Sequence, residues 1–160
     1  MKVTSLRRLK EELKAARKKG KKVVFTNGCF DIIHAGHVRY LKKARSLGDM
    51  LVVGLNSDSS VKAIKGESRP IVPQNERAEV LGALSPVDRV VIFNESTPEK
   101  LIKAIRPDIL AKGADWAAKD IVGADIVREN GGKVSRITLV KGRSTTNIIK
   151  KILTLHEKRR

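Results

Sequence analysis

The residues best suited to chemistry lie in one stretch, Thr26-Asn27-Gly28-Cys29-Phe30-Asp31-Ile32-Ile33-His34-Ala35-Gly36-His37. His34 and His37 stand three apart where a helix is predicted to begin, so both rings can share one side of its first turn. Gly36, between them, has no side chain to obstruct an anion. A helix start offers unbonded N–H groups and the positive end of the helix dipole, which suit a phosphate. Two imidazole donors above such a cradle suit phosphoryl chemistry. As a metal pair they lack a third ligand in the motif, because His156 sits in the basic tail, and no metal site is expected. Cys29 is the only cysteine and has no evident base, so it reads as an inert thiol.

These residues need a scaffold that delivers a strand end to a helix start. Leu6, Leu9, Leu13 and Ala16 recur at helical spacing, predicting a helix over 4–18 that stops at Gly20. Lys22 to Thr26 reads as a strand, Ala35 to Leu47 as a helix, and Met50 to Leu55 as a strand buried on both faces. Alternation continues with a helix over 76–84, a strand over 89–93 and a helix over 98–105. A strand over 108–111, a helix over 121–129, a strand over 134–140 and a helix over 146–155 complete it. The pattern predicts a doubly wound α/β fold with a five-stranded parallel sheet. No linker divides the 160 residues, so a single domain is expected, with residues 1–20 packed on it as an N-terminal helix. Ligands of such sheets bind beyond the carboxyl ends of strands, here 26–37, 56–58, 94–97, 112–116 and 141–146.

Composition narrows the partners. The formal net charge is +17, which favours an anionic ligand without naming it. A lysine-rich, solvated surface of thermophile type accounts for the same excess. An aromatic content of 3% weakens a base-stacking surface, and the basic residues run from the first helix to Lys158-Arg159-Arg160 without forming a recognised motif. A nucleic-acid partner is therefore not expected. The absence of a long apolar run and of a secretory leader predicts no membrane association and a cytoplasmic location. Neither G-x-G-x-x-G after the first strand nor G-x-x-x-x-G-K-[ST] is present, which removes the common dinucleotide and P-loop readings.

The segment from Gly28 to His37 resembles the nucleotidyltransferase superfamily with the G-x-F-D-x-x-H-x-G-H signature, which includes the cytidylyltransferases. Similarity continues through Gly54-Leu55-Asn56-Ser57-Asp58, Lys65-Gly66-Glu67-Ser68-Arg69-Pro70, Lys112-Gly113-Ala114-Asp115-Trp116 and Ser144-Thr145-Thr146. Ile121-Val122-Gly123-Ala124, Gly131-Gly132-Lys133-Val134 and Gly142 to Ile149 carry a closer likeness to the branch that adenylylates D-glycero-β-D-manno-heptose 1-phosphate. Where cytidylyltransferases have an arginine and a glutamate, this chain has Leu139 and Lys141, which agrees with ATP rather than CTP. The usual second glycine of Lys-Gly-Gly-Asp is Ala114. Relatives are often fused to a sugar kinase, for which these residues leave no room.

The resemblance implies a Rossmann-like fold and transfer of AMP from ATP to the heptose 1-phosphate, releasing pyrophosphate for lipopolysaccharide core synthesis. It implies catalytic roles for His34, His37 and Lys65. ATP contacts fall to Asn27, Gly28, Cys29, Phe30, His34, Gly36, His37, Lys112, Gly113, Asp115, Ser144, Thr145 and Thr146. Asp31, Asn56, Lys65, Arg69, Arg77 and Trp116 are the candidates for the sugar phosphate, with Trp116 either flanking a ring or packing in the core. Mg²⁺ is expected to arrive with ATP, and the likeness suggests a homo-oligomer. FMN and glycerol 3-phosphate, acceptors used on the same scaffold, stay open.

Overall fold

A computed structural model describes residues 2–140 and 142–157; Lys141 and Lys158-Arg159-Arg160, used in the sequence reading, lie outside them. The chain opens with α1 (Leu6–Lys18), started by Ser5, whose hydroxyl accepts from the Arg8 N–H at 3.4 Å. Its Leu9 and Leu13 are fully buried, and Gly20, at φ +69°, ends the segment in the conformation glycine tolerates best. The core strands follow: β1 (Val23–Gly28), β2 (Met50–Asn56), β3 (Arg89–Phe93), β4 (Ile109–Gly113) and β5 (Lys133–Ile137).

All strands pair in parallel in the order β3-β2-β1-β4-β5, as the α/β pattern predicts. Burial on both faces explains the nearly unbroken apolar runs of β1 and β2. One core layer joins Leu9, Leu13, Phe25, Leu101, Ile102 and Val127; the other joins Val24, Leu41, Leu51, Val53, Leu81 and Ile109. Three aspartates fix strand entry. Asp108 accepts from Val23 N–H at 2.7 Å, Asp88 from Leu51 N–H at 2.7 Å, and Asp49 from Lys22 N–H at 2.8 Å. Val3 bridges to Val90 and so occupies part of the outer edge of β3.

The remaining helices are α2 (Ala35–Arg45), α3 (Asp58–Lys65), α4 (Gln74–Ala83), α5 (Glu99–Ile105), α6 (Ala124–Glu129) and α7 (Thr145–Glu157). Helix α3 is a correction, because the sequence reading left 56–70 without an element. It spans 8 residues with only Val61 and Ile64 as large apolar groups, too little periodicity to stand out. Ser57 nevertheless starts it with a hydroxyl accepting from Ser60 N–H at 3.2 Å. Two other boundaries differ. Helix α6 starts at Ala124 after Gly123 at φ +85°, rather than at Ile121. Strand β5 stops at Ile137, opposite Gly113, where its pairing with β4 ends, so 138–140 form a loop rather than strand. No helix among the described residues is long and apolar enough to cross a membrane.

Candidate active site

Strands β2 and β3 lie on one side of β1, and β4 and β5 on the other. The chain therefore changes winding direction between β1 and β4, and a crevice must open beyond their carboxyl ends. A cavity of about 550 Å³ lies there. Its lining combines the β1–α2 loop, Asn56, the Lys65–Arg69 segment, Ser96 to Pro98, the end of β4 and the loop after β5.

The β1–α2 turn is held by packing. Phe30 has a left-handed backbone at φ +44°, uncommon for a bulky residue, while its side chain is buried. A Cβ on Gly28 would come within 3.0 Å of the Phe30 ring. His34 then caps α2: its Nδ1 accepts from the Gly36 N–H at 3.1 Å. That bond leaves the proton of a neutral His34 ring on Nε2, as a donor. A Cβ on Gly36 would lie 2.9 Å from the His34 ring, so the glycine is required by its neighbour as well as by any ligand. The rings of His34 and His37 stack with centroids 3.9 Å apart, and Phe30 closes over His37 at 5.2 Å.

Both imidazoles are held neutral. Burial, then the adjoining His34, lowers the pKa of His37 to about 4. Burial, then the Arg143 guanidinium, lowers that of His34. His37 Nδ1 is enclosed without a hydrogen-bond partner, which leaves Nε2 as the other polar atom of a ring that lines the cavity. The pair offers neutral donors to an anion rather than formal positive charge.

On the β4 side, Lys112 donates to Asn27 Oδ1, and its ammonium lies 6.0 Å from the Trp116 ring centroid. Burial depresses Lys112 to about 8, against the opposing pull of Asp115. Trp116 is 51% exposed on the cavity wall, which decides against core packing for it. Gly113 is tightly placed, since a Cβ there would meet Asp115 Oδ1 at 2.3 Å. Ser144 accepts from Asn147 N–H at 3.1 Å and caps α7. Thr145 donates its hydroxyl to Ile32 O at 3.2 Å, tying α7 to the histidine loop and leaving its backbone N–H as the free donor.

On the β2 side, the structure redistributes the expected roles. Asp31 is buried and accepts from Ile71 N–H, from Val72 N–H at 2.8 Å and from Arg69 Nε at 2.6 Å. Burial would raise its pKa, but the Val72 and Ile71 N–H groups and the Arg69 guanidinium outweigh that and lower it. Its carboxylate therefore anchors the 69–72 loop and aims Arg69, rather than facing a ligand. Asn56, also buried, donates to Ser60 Oγ at 2.9 Å. Lys65, at the end of α3, lines the cavity.

Arg77 is corrected. It is 1% exposed and does not line the cavity. Its guanidinium donates to Val72 O at 2.8 Å, Asn56 O at 3.0 Å, Asp58 Oδ1 at 2.7 Å and the Cys29 carbonyl. It braces the ends of β1 and β2 from beneath, with four of its five N–H donors committed to the protein and the group buried away from the cavity.

Every other residue expected at the site lines this one cavity. Tyr40 and Asp120, which the sequence reading did not point to, also line it, as do Ser96, Thr97 and Arg143, which fall in the expected loops 94–97 and 141–146 without having been singled out. Tyr40 follows His37 by three residues on α2, a spacing that could have found it. Its hydroxyl bonds to Thr26 Oγ1 at 2.8 Å, and burial pushes its pKa up to about 12. Cys29, on the cavity wall, is raised by burial, consistent with an unreactive thiol. Among the described residues no three His, Cys, Asp or Glu side chains are grouped to hold a metal ion.

Comparison with known proteins places the chain within a family and a fold. The profile of the cytidylyltransferase-like family matches residues 25–152. The bifunctional protein HldE of Campylobacter concisus is 60% identical over 151 residues, covering 94% of this chain and 31% of its own. HldE of Syntrophotalea carbinolica is 56% identical over 149 residues, covering 93% and 30%. The chain thus spans about a third of the length of the curated relatives it matches. A crystal structure of the lipopolysaccharide core biosynthesis protein from Thermoplasma volcanium superposes with a TM-score of 0.63 at 30% identity, covering 78% of this chain and 100% of that one. Pantoate-beta-alanine ligase from Francisella tularensis shares the fold, with a TM-score of 0.62 at 14% identity over 96% of this chain and 79% of its own.

Proposed function

The chain belongs to the cytidylyltransferase-like family of nucleotidyltransferases, and from that premise we propose that it transfers AMP from ATP to D-glycero-β-D-manno-heptose 1-phosphate. The products are ADP-heptose, for lipopolysaccharide core synthesis, and pyrophosphate. The observation that carries this reading is the placement of two neutral, stacked imidazoles at the centre of the sheet. Lys65 and Arg69 flank them on the β2 side, and Lys112 with Ser144 to Thr146 on the β4–β5 side. A sugar phosphate on the first side and a nucleotide on the second would meet at the α-phosphorus, above His34 and His37. Identity of 52–60% to HldE proteins and the likeness to a lipopolysaccharide core biosynthesis protein favour this acceptor.

The step needs no protein nucleophile. A phosphate oxygen of the sugar attacks the α-phosphorus, and catalysis is positioning plus stabilisation of spreading negative charge. His34 Nε2–H and the His37 ring would donate to the α-phosphate oxygens, over the free N–H groups of the first turn of α2. Around the phosphates the lining offers imidazoles, hydroxyls, cations and the carboxylate of Asp115, and among the described residues no three metal-ligating side chains are grouped, a set that fits Mg²⁺ carried by the triphosphate and water rather than by a protein cage. We place the reaction in the cytoplasm, where ATP is available, with no nucleic-acid or membrane partner. We take the enzyme to be a homo-oligomer, an assignment supported by the unpartnered Ile152, Leu153 and Leu155 of α7, each more than half exposed.

The test is pyrophosphate release from ATP or CTP with heptose 1-phosphate, FMN or glycerol 3-phosphate. Release is expected with ATP and the heptose phosphate, and preferential use of another pair would replace the proposed acceptor. His34→Ala and His37→Ala should each lower turnover by about 10²–10³-fold while the fold is kept. Near-normal turnover in both would remove the histidines from the chemistry.

A further inference from the structure

The nucleotide half of the cavity needs positive charge that the imidazoles do not supply. Four lysine or arginine side chains line the cavity among the described residues: Lys65, Arg69, Lys112 and Arg143. Lys65 and Arg69 lie on the β2 side, and Arg69 is bonded to Asp31 at 2.6 Å. Lys112 is buried against Asn27 and titrates near 8, so its charge is conditional. An arginine guanidinium stays charged throughout the working range.

Arg143 is placed by the turn after β5. Its N–H bonds to Val140 O at 3.3 Å, and Gly142 adopts φ +71°. The turn brings the Arg143 Cβ to 3.3 Å from the point where a Gly36 Cβ would stand, over the first turn of α2. Arg143 is near enough to His34 to help keep its ring neutral. Its neighbours Ser144 to Thr146 begin α7 on the same wall. Among the described residues no carboxylate pairs with it.

We propose that Arg143 is a catalytic residue that contacts the β- and γ-phosphates and stabilises the departing pyrophosphate. The assignment rests on the nucleotidyl transfer proposed above. In that step the acceptor oxygen bonds to the α-phosphorus while the bond from the α-phosphorus to the bridging oxygen breaks. The electron pair leaves on pyrophosphate, and no proton need move. Negative charge therefore grows on the leaving group, and a fixed guanidinium there acts mainly in the transition state.

The experiment compares wild type, Arg143→Ala and Arg143→Lys in kcat and KM for ATP, and in calorimetric affinity for inorganic pyrophosphate and for AMP. Arg143→Ala should lose about 10²-fold in kcat/KM and bind pyrophosphate more weakly, with AMP affinity unchanged. Arg143→Lys should recover part of the loss, because a point charge replaces a fork. Equal pyrophosphate affinity and kcat/KM in wild type and Arg143→Ala would overturn the assignment alone. So would parallel loss of AMP and pyrophosphate binding, which marks a structural role. A wild-type protein that binds neither ATP nor pyrophosphate would overturn the underlying transfer reaction and this assignment with it.

Discussion

Replacing Arg77 by methionine tests whether this arginine is a brace or a substrate ligand. The guanidinium serves three carbonyls, Cys29, Asn56 and Val72, and one carboxylate, Asp58, from a site 1% exposed. Methionine refills most of the volume but none of the donors. Hydrogen bonds from a charged group contribute about 1.5–3 kcal/mol each, and a buried acceptor left without a donor costs about 1–3 kcal/mol. Simple addition overshoots, because the four bonds share one group and the Asp58 side chain, 38% exposed, can turn to water. Removing one partner of a buried pair costs about 3–5 kcal/mol, and we take that as the expected loss. Against a typical total of about 5–15 kcal/mol the protein should still fold, with a visibly lower urea midpoint. Because Arg77 ties the Cys29 carbonyl to that of Asn56, the histidine loop should loosen as well, lowering kcat more than it raises KM for the sugar phosphate. A loss below about 1 kcal/mol, with KM for the acceptor alone increased, would refute the brace and restore Arg77 as a ligand.

Other consequences follow from the same geometry. His37 should titrate near 4 by NMR in the free protein. Since its folded pKa is depressed, charging favours the unfolded chain, and stability should fall as pH drops from the ordinary histidine value toward 4; His37→Gln should flatten that slope. Lys112, held at about 8 by burial, should gain affinity for its proton when a triphosphate binds. ATP binding near pH 8.5 (about half a unit above that value) should then take up protons, read from calorimetry in buffers of different ionisation heat; Lys112→Met should abolish the uptake. Gly36→Ala puts a Cβ 2.9 Å from the His34 ring and 3.3 Å from Arg143 Cβ. Turnover should fall by at least about 10²-fold with far-ultraviolet circular dichroism unchanged, and normal turnover would show that the ring can move aside without consequence.

The sequence by itself determined the fold class, because fully buried parallel strands must be written as apolar runs such as Met50 to Leu55, and helices between them as stripes such as Leu9 and Leu13. It also placed the strand-to-helix corner that lines the cavity, since glycine and histidine spacing at such a turn is a local property. What it could not decide were the partners of each polar group. Asp31 and Arg77 looked like ligands because a charged residue beside a motif carries no mark of what lies behind it. Only the packed chain, which brings the Val72 N–H to Asp31 and the Cys29 carbonyl to Arg77, turns both into supports. Arg143 is the converse case: a basic residue unremarkable in sequence, set over Gly36 by a turn more than 100 residues further along the chain. Long-range contacts decide which charges are spent on the protein and which remain for the substrate, because each donor and acceptor can be satisfied only by what folding brings within about 3 Å.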